Sequence, residues 1–104
     1  MGSGISEQVN MSVIKVSARS RTASVAGAIA GVIRDSQHAE VQAIGAGAVN
    51  QAIKAIAIAK GYLAEEDIHI GCVPEFVEIE IEDQERTAIR FEIFKRMIVP
   101  PEDF

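Results

Sequence analysis

The chain has 104 residues and a mass of 11.2 kDa, the size of a single domain, and its 48% apolar content is too high for a disordered chain. No apolar run approaches the roughly 18 residues that a membrane-spanning helix needs. Fifteen acidic and ten basic residues give a formal net charge of −5, which argues against a general nucleic-acid coat protein, because such proteins are normally basic.

The composition along the chain predicts one domain over residues 11–98, between a flexible polar leader at 1–10 and a tail at 99–104. The leader has no basic region followed by an apolar core, so it is not a secretory signal, and Met11 is an alternative start. The single cysteine, Cys72, excludes an internal disulfide and favours the reducing cytoplasm. Its ordinary role is that of a small buried packing residue.

Residues 12–17, SVIKVS, are rich in β-branched side chains and predict a first strand. A loop with Arg19 and Arg21 follows. The segment TASVAGAIAGVIRDS then predicts a first helix, with Ser20 or Thr22 as its N-cap.

One side of this helix is nearly flat, because Gly27 and Gly31 lie four residues apart among alanines. Glycine inside a helix costs about 1 kcal/mol relative to alanine, so we expect another backbone to approach closely there. A polar link follows, in which His38 is interpreted as a solvated loop residue.

The next segment predicts a second strand over residues 41–44, a turn at Gly45-Ala46-Gly47, and a helix that runs to Lys60 and ends at Gly61 as its C′ residue. The polar side chains of this helix form only a thin stripe: Asn50, Gln51, Lys54 and Lys60. A surface helix ordinarily has a broad polar face. We therefore expect a second subunit to cover part of this helix in a homodimer.

Residues 68–73 predict a third strand, and Pro74 indicates a sheet edge or a bulge. Beyond it, an apolar row alternates with an acidic row: Val77, Ile79 and Ile81 against Glu78, Glu80 and Glu82. A turn at 83–85 leads to a fourth strand with the same alternation: Ile89, Phe91 and Ile93 against Arg90 and Glu92. This pattern predicts a long hairpin with one wet face, on which Arg90 pairs with Glu78 or Glu80.

The element order is β-α-β-α-β-β. Two successive strand-helix-strand crossovers are right-handed, so both helices should pack on one face of the sheet. The fold class predicted is α+β, a four-stranded mixed sheet with two helices on one face and a long hairpin formed by the third and fourth strands.

The turn at Gly45-Ala46-Gly47 stands between a strand and a helix, where backbone N–H groups and the helix dipole favour an anion. The sequence lacks the third glycine of a dinucleotide-binding fingerprint and the Lys-Ser/Thr of a P-loop. Close packing of helix and strand is one alternative, and contact with a nucleic-acid phosphate is another.

Little in the sequence predicts catalysis. Cys72 and His69 are three residues apart on an extended strand and therefore face opposite sides. The row of glutamates is typical of a solvated edge, and no aromatic ladder for stacking bases is present. We expect a protein that is not an enzyme and has no cofactor or metal.

Three blocks of the sequence point to a known family: VSARSRTASVAGAIAGVIR, AEVQAIGAGAVNQAIKAIAIAKGYL and EDQERTAIRF. Over residues 11–95 the chain closely resembles the bacterial stage V sporulation protein S family, which is similar to Alba, a chromatin and RNA-binding protein fold with the same element order. The resemblance implies an Alba-like dimer, a regulatory role in sporulation or related development, and binding to DNA or RNA.

In Alba-type proteins the binding surface comprises the first strand-to-helix loop, the turn before the second helix, and the long hairpin. Carried over to this chain, the resemblance implies a nucleic-acid-binding set: Lys15, Arg19, Arg21, Gly45, Ala46, Gly47, Asn50, Lys54 and Arg86. Alba proteins commonly have arginines in the second turn, whereas this turn is neutral, and the hairpin here is acidic apart from Arg86. The binding expected is therefore weak or specific.

Two hypotheses follow from these observations. The first is a cytoplasmic, dimeric regulator that binds nucleic acid through its basic and glycine-rich loops. The second is a protein-interaction module that docks onto a basic partner through the acidic hairpin and does not bind nucleic acid.

Overall fold

Residues 13–97, which this computed structural model describes, form four strands and two helices in the predicted β-α-β-α-β-β order. The predicted leader at 1–10 and tail at 99–104 lie outside the described residues. None of the described helices is long and apolar enough to cross a membrane. The elements are β1 (Val13–Val16), α1 (Thr22–Ser36), β2 (His38–Ala43), α2 (Ala46–Ala64), β3 (Ile70–Ile81) and β4 (Gln84–Lys95).

The sheet has the strand order β1-β2-β4-β3. β1 and β2 are parallel, and β4 is antiparallel to both β2 and β3, which confirms the predicted mixed sheet. Val41, at the centre, pairs with Ile14 on one side and Phe91 on the other, so these three side chains share one face. Both helices pack on that face and complete the core.

The core consists of aliphatic side chains from the helices and the covered face of the sheet. The largest fully buried ones are Ile29, Ile33, Leu63, Ile93 and Val41. Burying a side chain of this size stabilises the fold by about 1.5–3 kcal/mol. The opposite face of the sheet, which we call the open face, has a polar row across three strands, in which Lys15 pairs with Gln42 and Gln42 pairs with Arg90.

The hairpin register differs from the predicted one. The turn consists of Glu82 and Asp83, both with positive φ (52° and 67°), and Ile81 pairs with Gln84. The sequence predicts a turn at 83–85 instead. Because side chains alternate with a period of two, a one-residue difference moves a whole row to the other face.

As a result, the predicted single apolar face of the hairpin is wrong. Phe76 pairs with Ile89 on the covered face, whereas Ile79 pairs with Arg86 on the open face. The predicted pairing of Arg90 with Glu78 or Glu80 is wrong for the same reason. Arg90 lies directly opposite Glu75 and forms its ion pair there.

Several element ends also differ from the prediction. His38 begins β2 and is not part of a loop, although it is exposed as expected. α2 continues through Gly61 to Ala64, and the full burial of Leu63 explains why the helix does not end at the glycine. The N-cap of α1 is Arg21 rather than Ser20 or Thr22.

Three predictions about single residues have different outcomes. Pro74 lies on the edge strand β3, as predicted. Cys72 is exposed, so the prediction that it is buried is wrong. Its thiol is still partly shielded from water by the protein, and this desolvation raises its pKa. No described atom lies within 4 Å of a Cβ built at Gly27 or Gly31, so no described backbone makes the expected close approach.

The two phenylalanines of the hairpin's covered face test which of its strands the helices cover. Phe91 is 5% exposed and Phe76 is 77% exposed, because the helices pack over β4 and do not reach Phe76 on β3. We expect Phe91→Ala to lower the free energy of unfolding by about 3–5 kcal/mol. Phe76→Ala, the matched control, should change it by no more than about 0.5 kcal/mol. Urea denaturation of both variants measures the difference, and equal losses would contradict the packing of the helices over β4 alone.

Candidate nucleic-acid interface

The two helices begin at the same edge of the sheet, because β1 and β2 are parallel and each is followed by a helix. The connection after β1 spans residues 17–21, and the connection after β2 is the short segment at 44–45. We call this part of the molecule, with the first turns of α1 and α2, the βα edge. It contains most of the residues that the sequence predicts as a binding surface.

Two serines hold the first connection in a tight turn. The backbone N–H of Ser20 donates to the carbonyl oxygen of Ser17 at 3.0 Å, and the N–H of Ser17 donates to Oγ of Ser20 at 2.9 Å. The N–H of Arg19 donates to Oγ of Ser17 at 3.1 Å. These bonds place Arg19 at the exposed tip of an ordered turn.

The first turn of α2 packs directly against the first connection. A Cβ built at Gly47 lies 2.9 Å from Cβ of Ala18, a distance that real Cβ atoms essentially never show. Glycine is therefore required there by the approach of the neighbouring turn. Nε2 of Gln51 adds a hydrogen bond of 2.8 Å to the carbonyl oxygen of Ser20. The first connection and the start of α2 thus form one continuous surface.

Both helix N-termini on this surface lack a side-chain cap. Arg21 and Gly45 are the N-cap residues, neither makes a side-chain capping bond, and the first turns of α1 and α2 contain no acidic residue. Gly45 has φ 92° and ψ 156°, a conformation that is essentially restricted to glycine. The N–H groups and partial positive charge of both helices are therefore available to an anion.

The five cations of the predicted binding set are exposed, and none takes part in an ion pair within residues 13–97: Lys15, Arg19, Arg21, Lys54 and Arg86. Two other arginines are neutralised. Arg34 donates to Glu66, with Nη2 2.7 Å from Oε2, and this hydrogen bond raises the pKa of Arg34 and lowers that of Glu66. The hydrogen bond to Glu75 raises the pKa of Arg90 in the same way.

The structure brings only part of the predicted set together. Arg19 and Arg21 adjoin the turn Gly45-Ala46-Gly47 at the βα edge, with all five residues exposed. Asn50 and Lys54 are exposed one turn apart on α2. The sequence does not reveal that the neighbouring Gln51, and the serine pair Ser17 and Ser20, are what fix this surface.

Lys15 and Arg86 lie apart from the βα edge, towards the open face. Lys15 contributes to a groove of about 490 Å³ between β1 and the far end of the hairpin, and Glu80 lines the same groove. Its lining residues are Val13, Lys15, Val16, Ser17, Ala18, Gln42, Ile44, Ile79, Glu80 and Ile81. Arg86 is on the hairpin opposite Ile79.

The far end of the hairpin is acidic. Glu80 lies directly opposite Glu85, and the turn between them is Glu82-Asp83. Glu78 accepts a hydrogen bond of 3.0 Å from Oγ1 of Thr87. Like charges opposite one another on a hairpin destabilise it and repel an approaching phosphate.

Comparison with known proteins supports the resemblance seen in the sequence. The sequence model of the family described as stage V sporulation protein S matches residues 12–96. Among solved structures, Alba from Thermoplasma volcanium has a similar fold, with a TM-score of 0.55 and 14% identity over 82% of this chain and 100% of that chain. This second likeness shows the Alba-like fold alone.

Gly45 and Gly61 allow a paired test of the βα edge. Alanine at Gly45 must adopt a glycine-only conformation, so we expect Gly45→Ala to lower the free energy of unfolding by about 1–3 kcal/mol. Gly61 lies within α2 with no atom within 4 Å of a built Cβ, so Gly61→Ala should raise it by about 0.5–1 kcal/mol. Chemical denaturation measures both changes, and a stabilising Gly45→Ala would show that the turn is not constrained in this way.

Proposed function

The chain belongs to the stage V sporulation protein S family and has a sporulation-related role, and we propose that in this role it binds nucleic acid as a homodimer in the cytoplasm. The observation that carries the proposal is the βα edge. Two uncapped helix N-termini and a glycine-rich turn meet on one surface with Arg19 and Arg21, which form no ion pair within residues 13–97. Such groups suit the phosphates of a nucleic-acid backbone, which need N–H donors and nearby cations.

The charge of the molecule favours weak or specific binding over coating. The chain has a formal net charge of −5, and the acidic hairpin end lies across the groove from Lys15. Affinity for DNA or RNA rises with the number of phosphates that cations neutralise, and few cations are available here. The carboxylates of the hairpin repel a phosphate, so a nucleic acid can approach only at the βα edge.

An apolar stripe on α2 supports the homodimer. The fully buried residues of this helix are alanines and one leucine: Ala48, Ala52, Ala55, Ala59 and Leu63. Val49 and Ile56 of the same helix are partly buried against the core. Its larger residues Val49, Ile53 and Ile56 follow one another at i, i+4 and i+7, and so form a stripe beside the packed face. Ile53 is 53% exposed in the single chain. A second copy that packs on this stripe buries it.

The acidic hairpin supports a second candidate, a protein-interaction module that docks onto a basic partner. Glu80, Glu82, Asp83 and Glu85 lie together at the hairpin's far end, and within the described residues none of them forms an ion pair. The two candidate functions give these carboxylates different roles. They repel the ligand in the first and supply the contact in the second.

We also propose that the chain is not an enzyme. His69 has Asp67 as its neighbour, with Nε2 3.3 Å from Oδ1, and it does not pair with Cys72 among the described hydrogen bonds. The raised pKa of Cys72 opposes the thiolate form that a nucleophile needs.

A salt series with Arg19→Ala and Arg21→Ala tests nucleic-acid binding. Each variant should weaken binding to short DNA and RNA duplexes or single strands, and should reduce the slope of log K against log salt by about 0.7–0.9 per lost phosphate contact. Arg34→Ala is the matched control, because it removes the same charge from the last turn of α1 where Glu66 already neutralises it. Fluorescence anisotropy from low to physiological salt measures all three.

Two results would count against this interface. Absence of affinity at low salt would contradict nucleic-acid binding and leave the acidic hairpin as the candidate surface. An equal effect of Arg34→Ala would contradict the placement of the site at the βα edge.

Sedimentation equilibrium tests the dimer. We expect the wild-type chain to have twice its mass of 11.2 kDa at micromolar concentration, and Ile53→Lys to sediment as a monomer because a charge then replaces the apolar contact. Ile81→Lys, at a 39% exposed isoleucine of the hairpin, is the control and should remain dimeric. A wild-type monomer would refute the dimer, and a dimeric Ile53→Lys would place its interface elsewhere.

A further inference from the structure

Three potential metal ligands meet in the middle of the open face, away from the βα edge. Glu40 on β2 lies directly opposite Glu92 on β4, and His38 is two residues before Glu40, so all three side chains point to the same side. One ligand atom from each residue lies within 4.8 Å of the others. The sequence does not reveal this set, because Glu92 lies far from His38 and Glu40 along the chain. Only the pairing of β2 with β4 brings it near them.

Within residues 13–97, Arg90 balances the charges around this cluster only in part. Carboxylates directly opposite each other on neighbouring strands repel and destabilise the pair. Arg90 has its Nη2 3.8 Å from Oε2 of Glu92, and the charges of Glu40 and Glu92 both raise its pKa, but its hydrogen bonds go to Glu75. Glu40 has no ion-pair partner among residues 13–97. A cation between Glu40 and Glu92 removes this repulsion.

We propose that His38, Glu40 and Glu92 bind a divalent transition-metal ion of the Zn²⁺ type. An imidazole nitrogen with two carboxylate oxygens suits Zn²⁺, whose bonds to such atoms are about 2.0–2.2 Å long, whereas Mg²⁺ and Ca²⁺ prefer oxygen ligands throughout. The three ligand atoms lie within 4.8 Å of one another, so small side-chain rotations allow all three to bond to one ion between them. Glu40 and Glu92 are half-buried, which limits competition from water, and the remaining coordination positions face solvent.

The bound ion links β2 to β4, the two central strands of the sheet. An ion that binds the folded chain and not the unfolded one raises the melting temperature. This site does not depend on the proposed nucleic-acid function, because it lies on the open face and shares no residue with the βα edge.

The test is a Zn²⁺ titration of the whole chain by isothermal calorimetry, paired with thermal denaturation. The Cys72→Ser protein serves as the background for all variants. Cys72 is exposed, on the side of β3 opposite to the cluster, and a cysteine thiolate is a common zinc ligand that would bind the ion separately. We expect binding of a single Zn²⁺ per chain, a higher melting temperature with Zn²⁺, and no comparable effect of Mg²⁺. His38→Ala and Glu40→Gln should each reduce the Zn²⁺ affinity by about tenfold or more.

His69→Ala is the matched control, because it removes the chain's other histidine, which lies outside the cluster. It should leave the affinity and the melting shift unchanged. The proposal is overturned if the Cys72→Ser protein does not bind Zn²⁺, if His38→Ala and Glu40→Gln bind it as tightly as the background does, or if His69→Ala loses as much affinity as His38→Ala. Each substituted side chain is exposed or half-exposed, so we expect every variant to fold. Circular dichroism checks this.

Discussion

The contact between Gly47 and Ala18 is the constraint on which the candidate interface depends. β1 and β2 are parallel, so the turns that follow them emerge at one edge, but only a glycine at position 47 allows those turns to touch. Gln51 and the serine pair Ser17 and Ser20 then hold the joined surface. Two helix N-termini and two arginines are presented together as a result, and together they form the proposed phosphate-binding surface.

The distribution of charge decides how such a surface works in an acidic protein. Arg34 and Arg90 are tied to carboxylates, whereas Arg19 and Arg21 have no ion-pair partner within the described residues. The excess of carboxylates is concentrated on the hairpin and on the open face of the sheet. The proposed nucleic-acid site, the alternative protein-docking hairpin and the proposed metal site therefore occupy three different parts of the molecule.

Local patterns allowed accurate prediction where the physics is local. α1 has the predicted residues 22–36, because its apolar spacing and its polar flanks both lie within one segment. The element order, the mixed sheet and the edge position of Pro74 followed from strand and crossover rules. The Gly45 turn was predicted as an anion site because it lies between a strand and a helix, the Arg19 loop was added by the family resemblance, and both stay predictions as binding elements.

The remaining features depend on pairing between distant residues, which periodicity does not encode. A turn at Glu82-Asp83 instead of 83–85 moved Val77 and its row to the other face and gave Arg90 a different partner. α2 passed through Gly61 because tertiary burial of Leu63 outweighs the cost of a glycine. The cluster of His38, Glu40 and Glu92 exists only through the register of β2 with β4.

The most direct test of the proposed interface is an amide NMR titration of the protein with a short oligonucleotide at low salt. Contact at the βα edge predicts shift changes in the amides of Arg19, Ala46 and Gly47, with the amides of Glu82 and Asp83 at the hairpin turn unchanged. Shift changes confined to the hairpin turn, or an absence of changes at the three βα-edge amides, would contradict the account.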